Sequence, residues 1–122
     1  MDLALAGFDV VEAMFRTGMG WVDFVQGTPG LPPEFLGGGG IAHILAKRDF
    51  EHNRDPTLPG GAETLRALPE TIARGRLIER RGPAKAEIVL GPYHAVLARM
   101  DQPKGNPAAF WLLTGFRRGS PR

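Results

Sequence analysis

The chain has 122 residues, 15 of them basic and 13 acidic, and it contains no cysteine. These values indicate one domain, residues 1–122, with a modest core, and they exclude disulfides, thiolate metal sites and thiol chemistry. No apolar run approaches the twenty residues of a transmembrane helix, and no standard signal peptide is predicted, so we expect a cytoplasmic site of action and leave the delivery route open.

Charge is unevenly distributed along the chain. Residues 1–40 hold one basic and five acidic residues, whereas residues 41–122 hold 14 basic and 8 acidic ones. A basic region behind an acidic segment is typical of a polyanion binder, and nucleic acid is the natural ligand. A solvated surface of mixed charge is the alternative.

The N-terminal segment, residues 1–19, has a helical pattern. Asp2 can cap a helix and Gly18 can end it. Between them, apolar residues stand at helical spacing: Leu5, Phe8, Val11 and Phe15. We therefore predict an N-terminal helix whose role is packing.

Residues 20–61 are predicted to hold a short strand at 21–25, a loop rich in glycine and proline at 27–40, and a helix that starts near residue 41. At about 100° per residue, Ile41, Ile44 and Leu45 form the apolar stripe of that helix. His43 and Lys47 stand four residues apart, roughly opposite the stripe.

The glycine run just before this helix suits an anion. Glycine lets the backbone approach a ligand closely, and a helix N-terminus presents free N–H groups and partial positive charge. Phosphate is the natural candidate, although a flexible loop explains the glycines equally well. A P-loop is excluded because no Gly-Lys-Ser/Thr follows, and a dinucleotide fingerprint is excluded because proline interrupts the preceding segment.

Residues 62–75 are predicted to be helical, with an interruption at Pro69, and residues 76–117 are predicted to be an antiparallel meander. Turns at Gly82-Pro83, Gly91-Pro92 and 101–107 separate its four strands. The predicted fold class is therefore α+β, with N-terminal helices packed on a C-terminal antiparallel sheet of four or more strands.

Three runs in register carry a family resemblance: residues 38–48 (GGGIAHILAKR), 68–75 (LPETIARG) and 111–116 (WLLTGF). Their order and spacing are similar to those of the phage-encoded branch of the barnase/EndoU/colicin/RelE-like ribonuclease superfamily. The resemblance covers roughly residues 20–117. It implies helices followed by a four-stranded sheet, and RNA cleavage without metal or other cofactor.

The resemblance also implies the site residues. The family's helical histidine corresponds to His43, its following basic position to Lys47 or Arg48, and its strand hydroxyl to Thr114. Many relatives place a second histidine where this chain has Arg48. Because arginine cannot transfer protons near neutral pH, another group must complete the acid–base pair or the activity is weakened, and His52 and His94 are the candidates.

Further residues are candidates for RNA contact. Arg80 and Arg99 are predicted to bind phosphate, with solvated arginines as the alternative. Tyr93 and Trp111 are predicted to stack on bases, although most strand aromatics are core residues. The alternative for Thr114 is that threonine occurs at this position only because it favours strands. No metal site is predicted, because His43 with Lys47 is not a His-x-x-x-His pair.

Two functional readings follow. The first is a metal-independent endoribonuclease, toxin-like or phage-borne, which cleaves RNA (tRNA is one candidate) by 2′-OH attack and has an inhibitor or immunity protein as a conceivable partner. The second is a non-catalytic RNA-binding or interaction module on the same fold. An NAD-consuming transferase is weaker, because the cofactor fingerprint fails.

Overall fold

The fold is α+β, as the sequence predicts. The computed structural model describes residues 1–80, 84–100 and 108–121, and in these it contains three helices and one sheet of six strands. The helices are α1 (Asp2–Leu5), α2 (Ile41–Arg54) and α3 (Gly61–Arg74). The strands are β1 (Val10–Arg16), β2 (Gly20–Phe24), β3 (Arg76–Arg80), β4 (Lys85–Leu90), β5 (Tyr93–Arg99) and β6 (Ala108–Arg117).

The sheet is mixed, with the strand order β1-β2-β6-β5-β4-β3. Strands β3 to β6 form the predicted antiparallel meander. Strand β2 adds to β6 in parallel, and β1 adds to β2 in antiparallel fashion, so the N-terminal part of the chain extends the sheet at one edge. Within the described residues, no helix is both long enough and apolar enough to span a lipid bilayer.

The predicted N-terminal helix is wrong beyond its first turn. Gly7, at φ +100°, ends α1, and residues 10–16 form a strand instead. The predicted inward-facing residues Phe8, Val11 and Phe15 are exposed. Spacings of three and four residues fit a helix, but Val10 and Val11 are β-branched and strand β2 supplies a pairing partner, so tertiary pairing outweighs the local pattern.

Helix α3 is continuous through Pro69, contrary to the predicted interruption. Proline removes one helical hydrogen bond. Leu65, Leu68 and Ile72 are nevertheless fully buried on one side of the helix, and this burial outweighs the lost bond. Leu68 packs closely against β6, where a Cβ at Gly115 would lie 2.4 Å from Leu68 Cδ1.

Helix α2 begins beside β6, beyond the point where β2 stops pairing. The Gly40 N–H donates to Leu113 O at 2.8 Å, which fixes the start of the helix against the sheet edge. Ile41 and Ile44 are fully buried and Leu45 is half-buried, which confirms the predicted apolar stripe. The core then joins α2, α3 and the sheet, and its main members are Val22, Phe24, Ile41, Ile44, Leu65, Leu68, Ile72, Ile88, Leu97 and Leu112.

Candidate active site

His43 is the third residue of α2 and is only 7% exposed, because the 27–40 loop covers it. Its Nδ1–H donates to Pro29 O at 2.9 Å. Since a carbonyl oxygen can only accept, Nδ1 carries the proton, and the unprotonated nitrogen of the neutral ring is Nε2. This histidine is therefore fixed in the tautomer that offers Nε2 as a proton acceptor.

Burial lowers the pKa of the His43 imidazole below its ordinary value. The hydrogen bond to Pro29 opposes this shift, and the positive charges of Lys47 and Arg48 lower the pKa further. Burial and the two neighbouring cations act in the same direction, because both disfavour a positive charge on the ring. The neutral, base-competent form is thus favoured down to more acidic pH than in a solvated histidine.

The glycine turn before α2 does not present free donors. The N–H groups of Gly40, Ile41 and Ala42 donate to Leu113 O, Val25 O and Gln26 O. These three N–H groups are therefore not available to an anion, and the predicted anion site at this helix N-terminus is wrong in this respect. The glycines serve close packing instead, because a Cβ at Gly38 would lie 2.3 Å from His43 Nδ1.

Lys47 and Arg48 differ in their surroundings. Lys47 is half-buried, and burial together with the charge of Arg48 lowers its pKa, while Glu51 raises it. Arg48 is fully buried, because it continues the stripe of Ile41 and Ile44 toward the sheet. Of the two candidates for the family's basic position, Lys47 is therefore the more accessible.

Arg48 has partners on two sides but is not fully paired. Its Nη1 donates to Pro121 O at 3.0 Å and lies 3.4 Å from Glu51 Oε1, and its guanidinium stands 6.0 Å from the centre of the Phe116 ring. Nε and Nη2 find no hydrogen-bond partner among the described residues. A phosphate could reach these atoms only after a rearrangement.

An irregularity in β6 decides the face of Thr114. Thr114 pairs with Val96, but Leu112 pairs with the next residue of β5, Leu97, so Leu113 is an extra residue in β6. Paired residues share a face, whereas consecutive residues point to opposite faces. The side chains of Thr114 and Leu112 therefore point to opposite faces of the sheet, although strict alternation predicts the same face for both.

Trp111 shares the face of Thr114. It pairs with Ala98, which stands two residues after Val96 in β5. The face that carries Trp111 and Thr114 is called the site face below. Both residues are half-buried, and the Trp111 ring lies against Gly39, where an added Cβ would be 3.0 Å from Trp111 Cη2. The glycine loop thus connects His43 with the site face.

His94 also lies on the site face, where its imidazole pairs with a carboxylate. Its Nδ1 lies 2.7 Å from Oε2 of Glu87, a fully buried carboxylate, and its ring stacks on Phe116 at a centroid distance of 4.7 Å. Because a carboxylate accepts, Nδ1 is the donor and Nε2 is left for a ligand. Phe116 in turn lies between His94 and Arg48.

His52, the other candidate for a second histidine, does not join this group. Its Nδ1–H donates to Leu58 O at 2.6 Å, which fastens the loop after α2. Nearby, Asp49 accepts from the Gly61 N–H at 2.7 Å and caps the start of α3. This end of α2 is structural.

Two of the predicted RNA contacts lie away from the site face. Tyr93 precedes His94, so it points to the opposite face, and burial and the negative charge of Glu63 raise its pKa while Arg117 lowers it. Arg99 is exposed and also points to that opposite face, because it stands three residues after Val96. The structure does not bring either residue together with His43.

Arg80 ends β3, where it pairs with Ala86, and its side chain lies outside the described residues. Arg81 and the turn at Gly82-Pro83 also lie outside them, as does the turn at 101–107. Among residues 1–80, 84–100 and 108–121, no three His, Cys, Asp or Glu side chains form a cluster that could hold a metal ion.

One comparison with known proteins identifies a protein family that is similar to this chain. A family model described as phage-Barnase-EndoU-ColicinE5/D-RelE like nuclease 1 matches residues 13–122. Neither the curated proteins nor the solved structures give a significant match to the chain. The match begins inside β1 and covers α2, α3 and the whole of the site face.

Proposed function

The chain belongs to the phage-Barnase-EndoU-ColicinE5/D-RelE like nuclease 1 family, and from this membership we propose that it is a metal-independent endoribonuclease. The membership confirms the resemblance that the three sequence motifs indicate. It makes nucleic acid the substrate class, and the choice of RNA and of a metal-free mechanism is our proposal. In this mechanism the 2′-OH attacks the adjacent phosphorus, and the first product ends in a 2′,3′-cyclic phosphate.

The observation that carries the proposal is the arrangement of His43. A general base for the 2′-OH needs an unprotonated nitrogen at working pH and a fixed ring orientation. The hydrogen bond from Nδ1 to Pro29 O supports both, since it fixes the tautomer and leaves Nε2 as acceptor. The lowered pKa keeps that nitrogen unprotonated.

The leaving 5′-oxygen needs a proton donor, and His94 is the best candidate among the described residues. The buried Glu87 carboxylate accepts a hydrogen bond from its Nδ1–H, as the third member of a catalytic triad holds its histidine in a fixed orientation. His94 thus takes the place of the second histidine that Arg48 replaces. Trp111 and Thr114 share its face and form the surface on which the substrate would lie.

Charge on the pentacoordinate phosphorane must also be stabilised. We assign this to Lys47, one helical turn from His43, with Thr114 as a hydrogen-bond donor. Arg48 acts through its field, because its fully buried guanidinium lowers the pKa of His43 and of Lys47. Arg48 is therefore assigned a positioning role.

A non-catalytic RNA-binding module is the second candidate function. The observation that favours it is the burial of both histidines, since His43 is 7% exposed and the His94 side chain 12% exposed. In such a protein the two rings would only pack the loop and the sheet. Turnover distinguishes the two functions.

The decisive experiment incubates purified protein with RNA in a chelator and analyses the product ends. The His43→Asn variant can keep a donor toward Pro29 O but lacks the base, so we expect turnover to fall about 10²- to 10⁴-fold with RNA affinity retained. His94→Asn should fall by a similar factor. His52→Asn is the matched control on the same helix and should retain activity.

The substrate offers an independent check. A 2′-deoxy residue at the scissile position should block cleavage, because the nucleophile belongs to that residue. Products with 5′-phosphate ends, cleavage that requires metal, or an active His43→Asn protein would each reject the mechanism. RNA binding with no cleavage by the unmodified protein would favour the binding module instead.

A further inference from the structure

Residues 118–121 continue from β6 as a strap that covers the Arg48 side chain of α2. The strap turns at Gly119, where φ is +96°, and Pro121 O accepts a hydrogen bond from Arg48 Nη1 at 3.0 Å. The Ser120 N–H closes the turn by donating to the last carbonyl oxygen of β6 at 2.9 Å. Polar contacts therefore hold the strap over the guanidinium.

Apolar burial contributes little to the closed strap. Its residues are arginine, glycine, serine and proline, and three of the four, Arg118, Gly119 and Pro121, are exposed. Burial of apolar surface is the main favourable term in folding, and segments that bury little of it open locally at low cost in free energy. The strap thus has the composition of a segment that can detach while the core stays folded.

The contact beneath the strap leaves buried polar atoms unpaired. Within the described residues, five buried side-chain nitrogen and oxygen atoms have no hydrogen-bond partner, and four of them belong to this contact: Arg48 Nε and Nη2, Glu51 Oε1 and Ser120 Oγ. A buried donor or acceptor without a partner is costly, because it has given up its hydrogen bonds to water. Opening the strap would return these atoms to water, so their burial opposes closure.

The unpaired nitrogens of Arg48 form one edge of its guanidinium. Nη1 carries the contacts with Pro121 O and, at 3.4 Å, with Glu51 Oε1. Nε and Nη2 lie on the other side, where two parallel N–H groups match two oxygens of a phosphate group. Because Arg48 is fully buried, a ligand can reach this edge only after the strap has moved.

We infer that the 118–121 strap is a displaceable cover, and that its displacement opens a binding site for a phosphate group on the Nε–Nη2 edge of Arg48. While the strap is closed, Arg48 acts through its field alone. When it is open, the phosphate supplies the pairing that the buried charge lacks. Glu51 opposes the anion from the Nη1 side but does not occupy the same edge. For a phosphate of RNA, the inference rests on the proposed function.

The test follows the strap by NMR while inorganic phosphate is added. Phosphate should shift the Arg48 Nε–H signal and raise the hydrogen-exchange rate of the Ser120 N–H about tenfold, because the turn that protects this group is lost on opening. The Ala95 N–H, in the core of the sheet, should stay protected and so exclude general unfolding.

Gly119→Ala loosens the strap without a steric clash. An added Cβ meets no neighbour within 4 Å, but a φ of +96° is strained for alanine, so the closed form is destabilised. Apparent affinity rises with the fraction of protein that is competent to bind, and we expect phosphate to bind about three- to tenfold tighter. Gly18→Ala is the matched control, since Gly18 has φ +86° and equally open surroundings in the β1–β2 turn. It should leave phosphate affinity unchanged.

Two further variants act in the opposite direction. Ser120→Ala removes an unpaired buried hydroxyl from the closed form, so the strap should open less often and phosphate should bind about two- to fivefold more weakly. Arg48→Met should abolish the phosphate response of the Ser120 N–H. Apolar residues of similar volume are tolerated in place of buried ions, and Ser120→Ala tests the inference independently of that variant's fold.

RNA with a 2′-deoxy residue at the scissile position is the second probe, because it binds without being cleaved. Strap opening by this RNA assigns the site to the RNA backbone, whereas opening by inorganic phosphate alone assigns it to free phosphate. A strap that stays closed with both probes, or a phosphate affinity that is the same in Gly119→Ala and Arg48→Met as in the unmodified protein, would overturn the inference. RNA cleavage with a closed strap would overturn it and leave the nuclease mechanism, and strap opening without cleavage would do the reverse.

Discussion

Arg48 shows how one buried charge can tune a site that it does not touch. Its guanidinium lies under Pro121 and beside Glu51, and it lowers the pKa of both His43 and Lys47. Burying a charge is costly, and here the compensation is incomplete, since two of its nitrogens lack hydrogen bonds within the described residues. The residue is therefore better suited to a field effect than to a contact with substrate.

We predict that Lys47→Met raises the pKa of His43. Lys47 is one of the charges that disfavour imidazolium, so its removal should bring the pKa closer to that of a solvated histidine. The acidic limb of the pH–rate profile should move to higher pH with it, because the base must be unprotonated. NMR titration of His43 measures the shift.

The control for that titration is Lys85→Met, which removes an exposed lysine from β4. It should leave the His43 titration unchanged. A His43 pKa that stays constant or falls in Lys47→Met would contradict the electrostatic coupling along α2.

Among the elements, the 27–40 loop completes the candidate site, because it covers the His43 side chain of α2. Two isolated β-bridges, Thr28 with Gly39 and Leu31 with Leu36, join its two sides. Its glycines are used for close contact, since Gly38 packs on His43 and Gly39 on Trp111. The loop therefore holds the imidazole against the sheet and covers it.

We predict that Gly38→Ala disturbs His43 directly. The added Cβ would meet both His43 Nδ1 and Pro29 O at 2.3 Å, so the hydrogen bond between them cannot persist unchanged. Overpacking of this kind costs about 1–3 kcal/mol, and we expect a loss of that size in urea unfolding together with a loss of activity.

Gly37→Asn separates the clash from the general effect of losing a loop glycine. Gly37 has φ +77° and no neighbour within 4 Å of an added Cβ, and asparagine tolerates this conformation. It should keep the His43 NMR signal and the activity. If Gly38→Ala behaved like Gly37→Asn, the loop would not position the histidine.

Across the whole molecule, positive charge is concentrated after residue 40, on the helices and the meander. Neutralised phosphates release counterions, so RNA binding should weaken as salt rises. Arg80→Glu and Arg99→Glu should each lower affinity for all RNA sequences and reduce the slope of log affinity against log salt by about one.

Arg66→Glu is the matched control for this charge reversal. Arg66 is exposed on α3 and forms an ion pair with Asp2 at 2.9 Å, and it lies outside the predicted phosphate contacts. Filter binding at several salt concentrations measures all three variants. An RNA affinity that changes neither with salt concentration nor with either charge reversal would show that the basic surface faces solvent and does not bind phosphate.

The meander, the start of α2 and the family can all be predicted from the amino-acid sequence. Turn residues at Gly91-Pro92 separate β4 from β5, and the glycine run ends where α2 begins, because glycine and proline restrict the backbone locally. The burial of Arg48 could also have been predicted, since Arg48 continues the helical stripe of Ile41 and Ile44. The strand at residues 10–16 could not, because it depends on pairing with β2.

The composition of the candidate site depends on long-range packing and could not be predicted from local sequence patterns. The extra residue at Leu113 moves Thr114 to the face of Trp111, and the register of β4 with β5 brings Glu87 to His94. The covering of His43 by Pro29 depends in the same way on how a distant loop packs. Local propensity acts over a few residues, whereas these contacts join residues whose neighbourhood is set by register and packing of the whole sheet.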